Sequence, residues 1–402
     1  MSNFARNLPV KTILAAVTLA LSACGGDGGG ATVAAEVTKP NGGPITADQP
    51  LAKAYDTAAK AFSDSTDNPV LKWHYRVWCQ TGYRSVGNAG TGQTVDTVAD
   101  PALDLVSPLG FNYAGSLGKN TFIGGSRFMD NAWYFGNEYT GLVIVRLADG
   151  SLVMLDALTT PSDMQQQVID QMPAAGLNPA NIKYIFVGHE HGDHYGGVEL
   201  IKKHAPQAIV VASAPAAATI KAARAKAEAA TYSGNTPAEQ ATAKEAALLR
   251  IPAKVDIVIG ASSGQTTGME RLTLSANEKA VAMLAPGHTP GQLHVIIPVA
   301  HKGQTRKLFV WSGNDQPDQA DQYALSTDFV GGLAFQESAD SFINTHAYQG
   351  AMFVELRKAQ KNPGQDTALL MGKQGVQRYM GIFANCQRAT AERLRDGTWK
   401  TF

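Results

Sequence analysis

The chain has 402 residues, 44% of them hydrophobic and 17% charged. That is enough to bury a full core, as one large domain or two smaller ones. Its 34 basic and 34 acidic residues cancel to a formal net charge of +0. With no basic stripe interleaved with aromatics, the electrostatic footprint of a nucleic-acid binder is missing.

Arg6 and Lys11 give a positive start, and the apolar stretch Thr12 to Cys24 ends in small residues. It falls short of the about 20 apolar residues that a bilayer span needs, and residues 1–24 read as a secretory signal peptide. The ending Leu21-Ser22-Ala23-Cys24 resembles the bacterial lipobox. That resemblance implies a lipidated Cys24 as mature N-terminus, on a glycine-rich tether. Lipid chains anchor without a transmembrane helix, at ~0.8 kcal/mol per buried methylene. The expectation is an exported lipoprotein, held to a membrane and facing the periplasm or the cell exterior. Residues 25–50 lack hydrophobic period and form a flexible linker. Two further cysteines, Cys79 and Cys386, can pair in an oxidising compartment or stay as two buried thiols.

Residues 51–130 are expected to form an N-terminal extension packed on the core. It opens with a helix over 51–62, where Leu51, Ala54, Tyr55, Ala58 and Phe62 recur at helical intervals. The glycine-rich residues 80–125 are expected to be irregular. A main domain then runs over 131–402. In "GLVIVRLADGSLVMLDAL", Asp149-Gly150 separates two β-rich apolar runs and predicts a hairpin. "SDMQQQVIDQM" predicts a helix capped by Ser162. Ile182 to Val187 and "AIVVAS" predict strands, and the alternation of strands with helices gives an α/β architecture. The alanine-rich segment 214–250 reads as two helices around a Ser-Gly-Asn-Thr-Pro turn, either a wall or lid over a site or a surface hairpin. Strands resume at "VDIVIG", "AVAMLAPGH", "LHVIIPV" and "KLFVWSG", and residues 374–396 close the chain as a long helix.

The loop "GHEHGDHYGG", Gly188 to Gly197, holds three of the nine histidines. Neutral imidazole and carboxylate are good zinc ligands, with Zn–N near ~2.0–2.1 Å. His189 and His191 are two apart, so on extended backbone they project to one side. Asp193 and His194 follow after the chain has begun to turn and can aim at a second point. One loop can thus serve two metals, with Gly192, Gly196 and Gly197 allowing tight turns where a side chain would clash. Four ligands cannot complete two shells. His288 in "LAPGHTPGQLH", at the end of a predicted strand, and His346 in "SFINTHAYQG", in a loop before a helix, have matching contexts.

His189-x-His191-x-Asp193-His194 followed by "PGHTPG" resembles the metallo-β-lactamase superfamily, as does the hairpin in "WYFGNEYTGLVIVRLADGSLVMLDA". The resemblance runs from about Trp133 to the C-terminus, interrupted by the alanine-rich insertion. It implies a four-layer αβ/βα sandwich and two Zn2+ ions. His189, His191 and His288 would hold the first ion; Asp193, His194 and His346 would hold the second. A histidine at 189, where another subclass has asparagine, and "NTHAYQG" without a cysteine both resemble the third subclass. Lactonases and glyoxalase II-type thioesterases carry a bridging aspartate where this chain has Gly313-Asn314, with Asp315 one residue late. An amide brings no charge and bridges two cations poorly.

The activity implied is zinc-dependent hydrolysis of a small-molecule substrate. A zinc-activated hydroxide would attack a carbonyl, and Asp193 would serve as ligand and as catalytic orienter of that hydroxide. No G-x-S-x-G suggests a serine triad. A cyclic amide is the leading substrate class, with a lactone or thioester as the alternative. A third reading, from another class, is a non-catalytic metal-binding envelope lipoprotein. His74, His204, His294 and His301 read as structural or surface groups, with His294 near enough to "PGHTPG" to support it. Trp311 would line a pocket or pack in the core, and Tyr195 would touch substrate or pack. Cys386 is not needed as a ligand.

Overall fold

The computed structural model describes residues 50–79, 99–100, 105–106, 122–261, 264–313 and 319–395. Cys24, the linker up to residue 49, Asn314 and Asp315 lie outside the described residues. A two-residue ladder joins β1 (Ala99–Asp100) to β2 (Leu105–Val106). The remaining strands form two sheets. The first has seven strands in sequence order: β3 (Phe122–Met129), β4 (Ala132–Asn137), β5 (Gly141–Arg146), β6 (Leu152–Leu155), β7 (Ile182–Phe186), β8 (Ile209–Ser213) and β9 (Ile257–Ile259). The second has five: β10 (Gly268–Thr273), β11 (Lys279–Leu284), β12 (Leu293–His301), β13 (Gln304–Trp311) and β14 (Ser341–Asn344).

Period-two alternation sorts the side chains of the first sheet between two cores. Tyr134, Val143, Val145 and Val153 share one buried cluster with Ala282, Val295 and Leu308 of the second sheet. Their neighbours Trp133, Phe135, Leu142, Ile144 and Met154 face the other way. They pack on helices α3 (Pro161–Met164, continued by a π turn to Ile169), α5 (Val198–His204) and the start of α6 (Ala214–Ala229). On the second sheet, Trp311 and Phe342 meet Phe383 and Tyr379 of α10 (Gly372–Arg395) at 5.4 and 4.0 Å between ring centroids. Helix, sheet, sheet and helix therefore stack as four layers, with the central strands of each sheet buried on both faces. The predicted α/β sandwich is the observed architecture.

The Asp149-Gly150 hairpin joins β5 to β6 antiparallel, and its turn closes with Gly150 N donating to the Leu147 carbonyl. The alanine-rich insertion is α6 followed by α7 (Pro237–Leu248), which starts with a reciprocal capping box between Thr236 and Glu239. Two expectations need correction. The helix cap is Thr160 and not Ser162: Thr160 is extended, accepts from Asp163 N, and precedes Pro161 at the first helical position. Strand β3, placed in the N-terminal extension by the sequence, belongs to the first sheet and pairs with β4. Its Gly124-Gly125 pair shifts the register between Ile123 and Ser126, which erased the alternation that marks a strand.

Two helices precede the sheets, α1 (Pro50–Asp64) and α2 (Pro69–Cys79), and both pack on α10. Cys79 at the end of α2 is disulfide-bonded to Cys386 of α10, 307 residues away. Among the described residues no helix is long and apolar enough to cross a membrane. Removing a cross-link that closes so long a loop is expected to cost about 2–5 kcal/mol. A Cys79→Ala/Cys386→Ala double variant should therefore unfold at clearly lower denaturant than the oxidised parent; coincident unfolding curves would contradict this.

Candidate metal centre

Strand direction builds the site. β6 and β7 are parallel, as are β13 and β14, and β11 runs the same way as β13 because both are antiparallel to β12. The chain leaves all five at their C-terminal ends, the usual place for ligands in α/β sheets. Asp156 follows β6, the 188–197 loop follows β7, His288 follows β11, Ser312 follows β13 and His346 follows β14. Leu293 N donates to the Gly188 carbonyl at 2.6 Å and ties the two sheets together there.

All six predicted side chains meet. His191 Nδ1 lies 3.1 Å from His189 Nε2 and 3.1 Å from His288 Nε2. The donor atoms of these three residues fall within 4.8 Å of one another. Such separations fit the roughly 3.3 Å edge of a tetrahedron around a cation with ~2.0–2.1 Å bonds. The second group adjoins the first. His194 Nε2 is 3.1 Å from His346 Nε2 and 3.5 Å from Asp193 Oδ2, which is 3.8 Å from His346 Nε2. His189 stands between the groups, its ring 3.8 Å from that of His194.

The protonation states suit a cation. Burial, with the nearby His194, pushes His189 well below the ordinary histidine value. Burial also lowers His191, and brings His288 down to about 3 and His346 down to about 4. These four are neutral at pH 7 and offer lone pairs. His194 goes the other way. Burial opposes its charge, but the carboxylates of Asp156 and Asp193 outweigh that and lift it to about 10. Burial acts to raise Asp193, yet His194 and His346 beside it hold the carboxyl below the usual range. The pocket between Asp193, His194 and His346 thus calls for one positive charge, which a metal ion supplies in place of a proton. The donor set fits a bound metal ion such as zinc.

Residues behind the donors set their orientation. Asp156 Oδ2 accepts from His194 Nδ1 at 2.7 Å, leaving Nε2 to face the site. Its Oδ1 accepts from Gly188 N at 2.7 Å. The Tyr139 carbonyl accepts from His346 Nδ1 at 2.9 Å. Ser312 Oγ lies 3.2 Å from His189 Nδ1, 3.3 Å from His194 Nδ1 and 3.1 Å from Asp156 Oδ2, so one hydroxyl touches both groups. Sequence reasoning missed Asp156, Ser312 and the Tyr139 carbonyl. A signal existed for Asp156: a carboxylate directly after the buried run Leu152–Leu155 has to find a partner.

The glycines divide. A side chain at Gly196 would overlap the Thr159 carbonyl, and one at Gly197 would crowd the Ala157 carbonyl and Met164. Gly192 faces open space, so its predicted steric role is not observed. Gly188, not singled out, is the tightest of the loop against the site, since a Cβ there would overlap Ser312 Oγ.

The other histidines lie outside the cluster. His74 stacks on Tyr379, His301 pairs with Asp366 at 2.6 Å, and His204 is exposed in the last turn of α5. His294 stacks on Trp311 at 4.0 Å and accepts a long hydrogen bond from Ser312 N, under the site. Trp311 is core, and Tyr195 is half-buried against the outer core of the first sheet. A cavity of about 610 Å³ opens beside His288. Ala214 and Pro215 at the start of α6 wall it, with Gln265, Gln319 and Gln322 opposite. The insertion therefore contributes a wall at its first turn, while most of its length is exposed.

Residues 135–301 match the family model of the metallo-beta-lactamase superfamily. That span holds five of the six clustered side chains and stops short of His346. The match makes this segment similar to the metallo-β-lactamase superfamily. Among solved structures, the chain is similar to the native FEZ-1 metallo-beta-lactamase from Legionella gormanii, at 17% identity and a TM-score of 0.50, covering 68% of this chain and 97% of that one. It is also similar to a Cronobacter sakazakii metallo-beta-lactamase with a HARLDQ motif, at 19% identity and a TM-score of 0.49, covering 68% and 94%. The subclass B3 enzyme BJP-1 of Bradyrhizobium japonicum matches at 21% identity and a TM-score of 0.45, covering 63% and 88%. At these identities the likeness is one of fold.

Asp156 offers a direct test of the supporting hydrogen bonds. Its backbone is left-handed (φ 73°), a conformation asparagine also tolerates. Asp156→Asn keeps an acceptor for Gly188 N but turns an amide N–H toward His194 Nδ1. His194 must then carry its proton on Nε2, where the metal would bind. Zinc affinity measured by chelator competition should fall roughly 10–100-fold; unchanged affinity would remove Asp156 from this role.

Proposed function

We propose that this protein is an exported zinc hydrolase that opens a cyclic amide, β-lactamase-like and with the ligand pattern of the third subclass. One observation carries the reading: three histidines on one side, and an aspartate with two histidines on the other, converge from three chain segments, and no cysteine is among them. His189, His191 and His288 would hold the first ion, and Asp193, His194 and His346 the second. When bound, the two ions supply Lewis acidity toward a carbonyl and bring the pKa of a bound water to ~7.

The chain's own groups complete the chemistry. Five of the six donors are imidazoles, so Asp193 is the only donor that brings negative charge. With Oδ2 toward the His194–His346 side, its carboxylate has a second oxygen to hold and orient the proton of the attacking water. Ser312 is unsuited to act as nucleophile. The residue is 3% exposed, and its hydroxyl is committed to His189, His194 and Asp156. The cavity beside His288 offers room for the substrate's substituents, between apolar walls and amide side chains.

Export and a lipid anchor at Cys24 belong to the same proposal. The Cys79–Cys386 disulfide supports it, since such bonds persist in oxidising compartments.

Purified mature protein loaded with zinc is expected to turn over nitrocefin, to lose turnover on chelation and to regain it with zinc. His191→Ala should fall to background. Hydrolysis of a lactone or thioester panel with nitrocefin untouched would move the substrate class. Two bound zincs without turnover on any panel would favour a non-catalytic metal carrier. In the export arm, Cys24→Ser should abolish palmitate labelling and shift the protein from the membrane to the soluble fraction. Persistence of both would refute the anchor.

A further inference from the structure

Three of the clustered imidazoles are oriented from behind: His189 by Ser312, His194 by Asp156 and His346 by the Tyr139 carbonyl. His288 differs. Its Nδ1 is buried and has no hydrogen-bond partner among the described residues. The position of its ring therefore depends on its loop, Ala285–Gln292, which connects β11 to β12. That loop belongs to the second sheet, whereas His189 and His191 belong to the first.

Within the second sheet the loop is braced by Gln292. Its Oε1 accepts from His288 N at 2.9 Å, and its Nε2 donates to the Ser312 carbonyl and to Tyr323 Oη at 2.6 and 2.9 Å. Across the sheets, Glu190 is the side-chain brace that comes from the histidine loop itself. It sits between His189 and His191 in the bend that follows β7, and its carboxylate reaches the Ala285–Gln292 loop. Thr289 Oγ1 donates to Glu190 Oε2 at 2.8 Å, and Gly291 N donates to Oε1 at 3.2 Å. A side chain at 291 would overlap Glu190 Oε2, so the glycine is what lets the backbone reach the carboxylate. Ser213 Oγ then donates to the Gly291 carbonyl at 2.6 Å, closing the loop's far side.

We propose that Glu190 is a positioning residue: it latches the His288 loop to the His189–His191 loop and so fixes the geometry of the first metal triad. The inference rests on the metal-centre reading above. Both carboxylate oxygens are occupied by Thr289 and Gly291, so the residue acts through His288 and not on substrate. The same short bend places two donors toward the cluster and, by the intervening side chain, recruits the third from the other sheet.

Zinc and cobalt binding to the mature chain test this, by chelator competition and by the visible spectrum of the cobalt form. Glu190→Ala is expected to weaken binding at the first site roughly 10–100-fold and to alter the cobalt spectrum. Thr289→Val removes the same bond without touching the 188–197 loop and should shift both readouts in the same direction. Glu190→Gln keeps an acceptor for Thr289 and should recover part of the loss. In a His288→Ala background, Glu190→Ala should cause no further loss, because nothing is left to position. Parental affinity and spectrum in Glu190→Ala, or an equal loss in the His288→Ala background, would overturn the latch. A parent chain that takes up neither metal would overturn the metal-centre reading itself.

Discussion

Five imidazoles gathered within a few ångströms, four of them held neutral by burial, make a concentration of lone pairs that only positive charge stabilises. The rest of the structure is organised around that constraint. Lone pairs aimed at one point repel, and buried ring nitrogens lose their water. The protein meets this by facing the donors with the charge of Asp193 and backing them with that of Asp156, and by fixing the far side of three rings. The raised His194 shows the demand directly: where Asp156 and Asp193 converge, a proton stays until a stronger cation replaces it.

Rigidity comes from the two sheets. Each donor segment leaves a strand whose last residues are buried, so the turn after it starts from fixed coordinates. The first sheet supplies Asp156, His189, His191, Asp193 and His194; the second supplies His288, Ser312 and His346. A cation held by this set would bridge the sheets much as the Leu293–Gly188 hydrogen bond does. Metal binding would then contribute to the stability of the sandwich as well as to its chemistry, since ligand bound only by the folded state adds to folding free energy.

The donors were legible in the sequence because their chemistry is local: His189, His191, Asp193 and His194 lie in one short loop, and His288 and His346 each follow an apolar run. The sandwich was legible because β-rich runs alternate with helical segments. What supports the donors was not legible, because Asp156, Ser312 and Tyr139 reach the site only after three strand ends are brought together, 156 residues apart between Asp156 and Ser312. Tyr139 acts through a carbonyl that any residue carries, so no side-chain pattern could reveal it. β3 hid behind a glycine pair, and the true cap Thr160 behind the more familiar look of Ser162 before an acidic residue. In each case a tertiary contact or a proline decided what propensity left open.

The histidine motif also illustrates how much one short bend can encode. Positions 189 and 191 face the cluster, and position 190 between them bonds the neighbouring loop. A residue that pattern matching treats as filler thus lies where two sheets must be brought into register. The backing of the donors is graded in the same way: a buried carboxylate behind His194, a shared hydroxyl behind His189, a backbone carbonyl behind His346, and for His288 a loop clamped at both ends. Either acceptor orients an imidazole and raises its basicity, and a charged carboxylate does so more strongly than a neutral carbonyl. The second group therefore combines the charged ligand Asp193 with the most strongly backed histidine, and the first group keeps neutral donors with neutral or indirect support. An ion in the first group would retain more of its positive charge toward a carbonyl, and one in the second would be held more tightly. That asymmetry follows from where Asp156 and Asp193 sit: the carboxylates lie on one side of the cluster, and the neutral donors on the other.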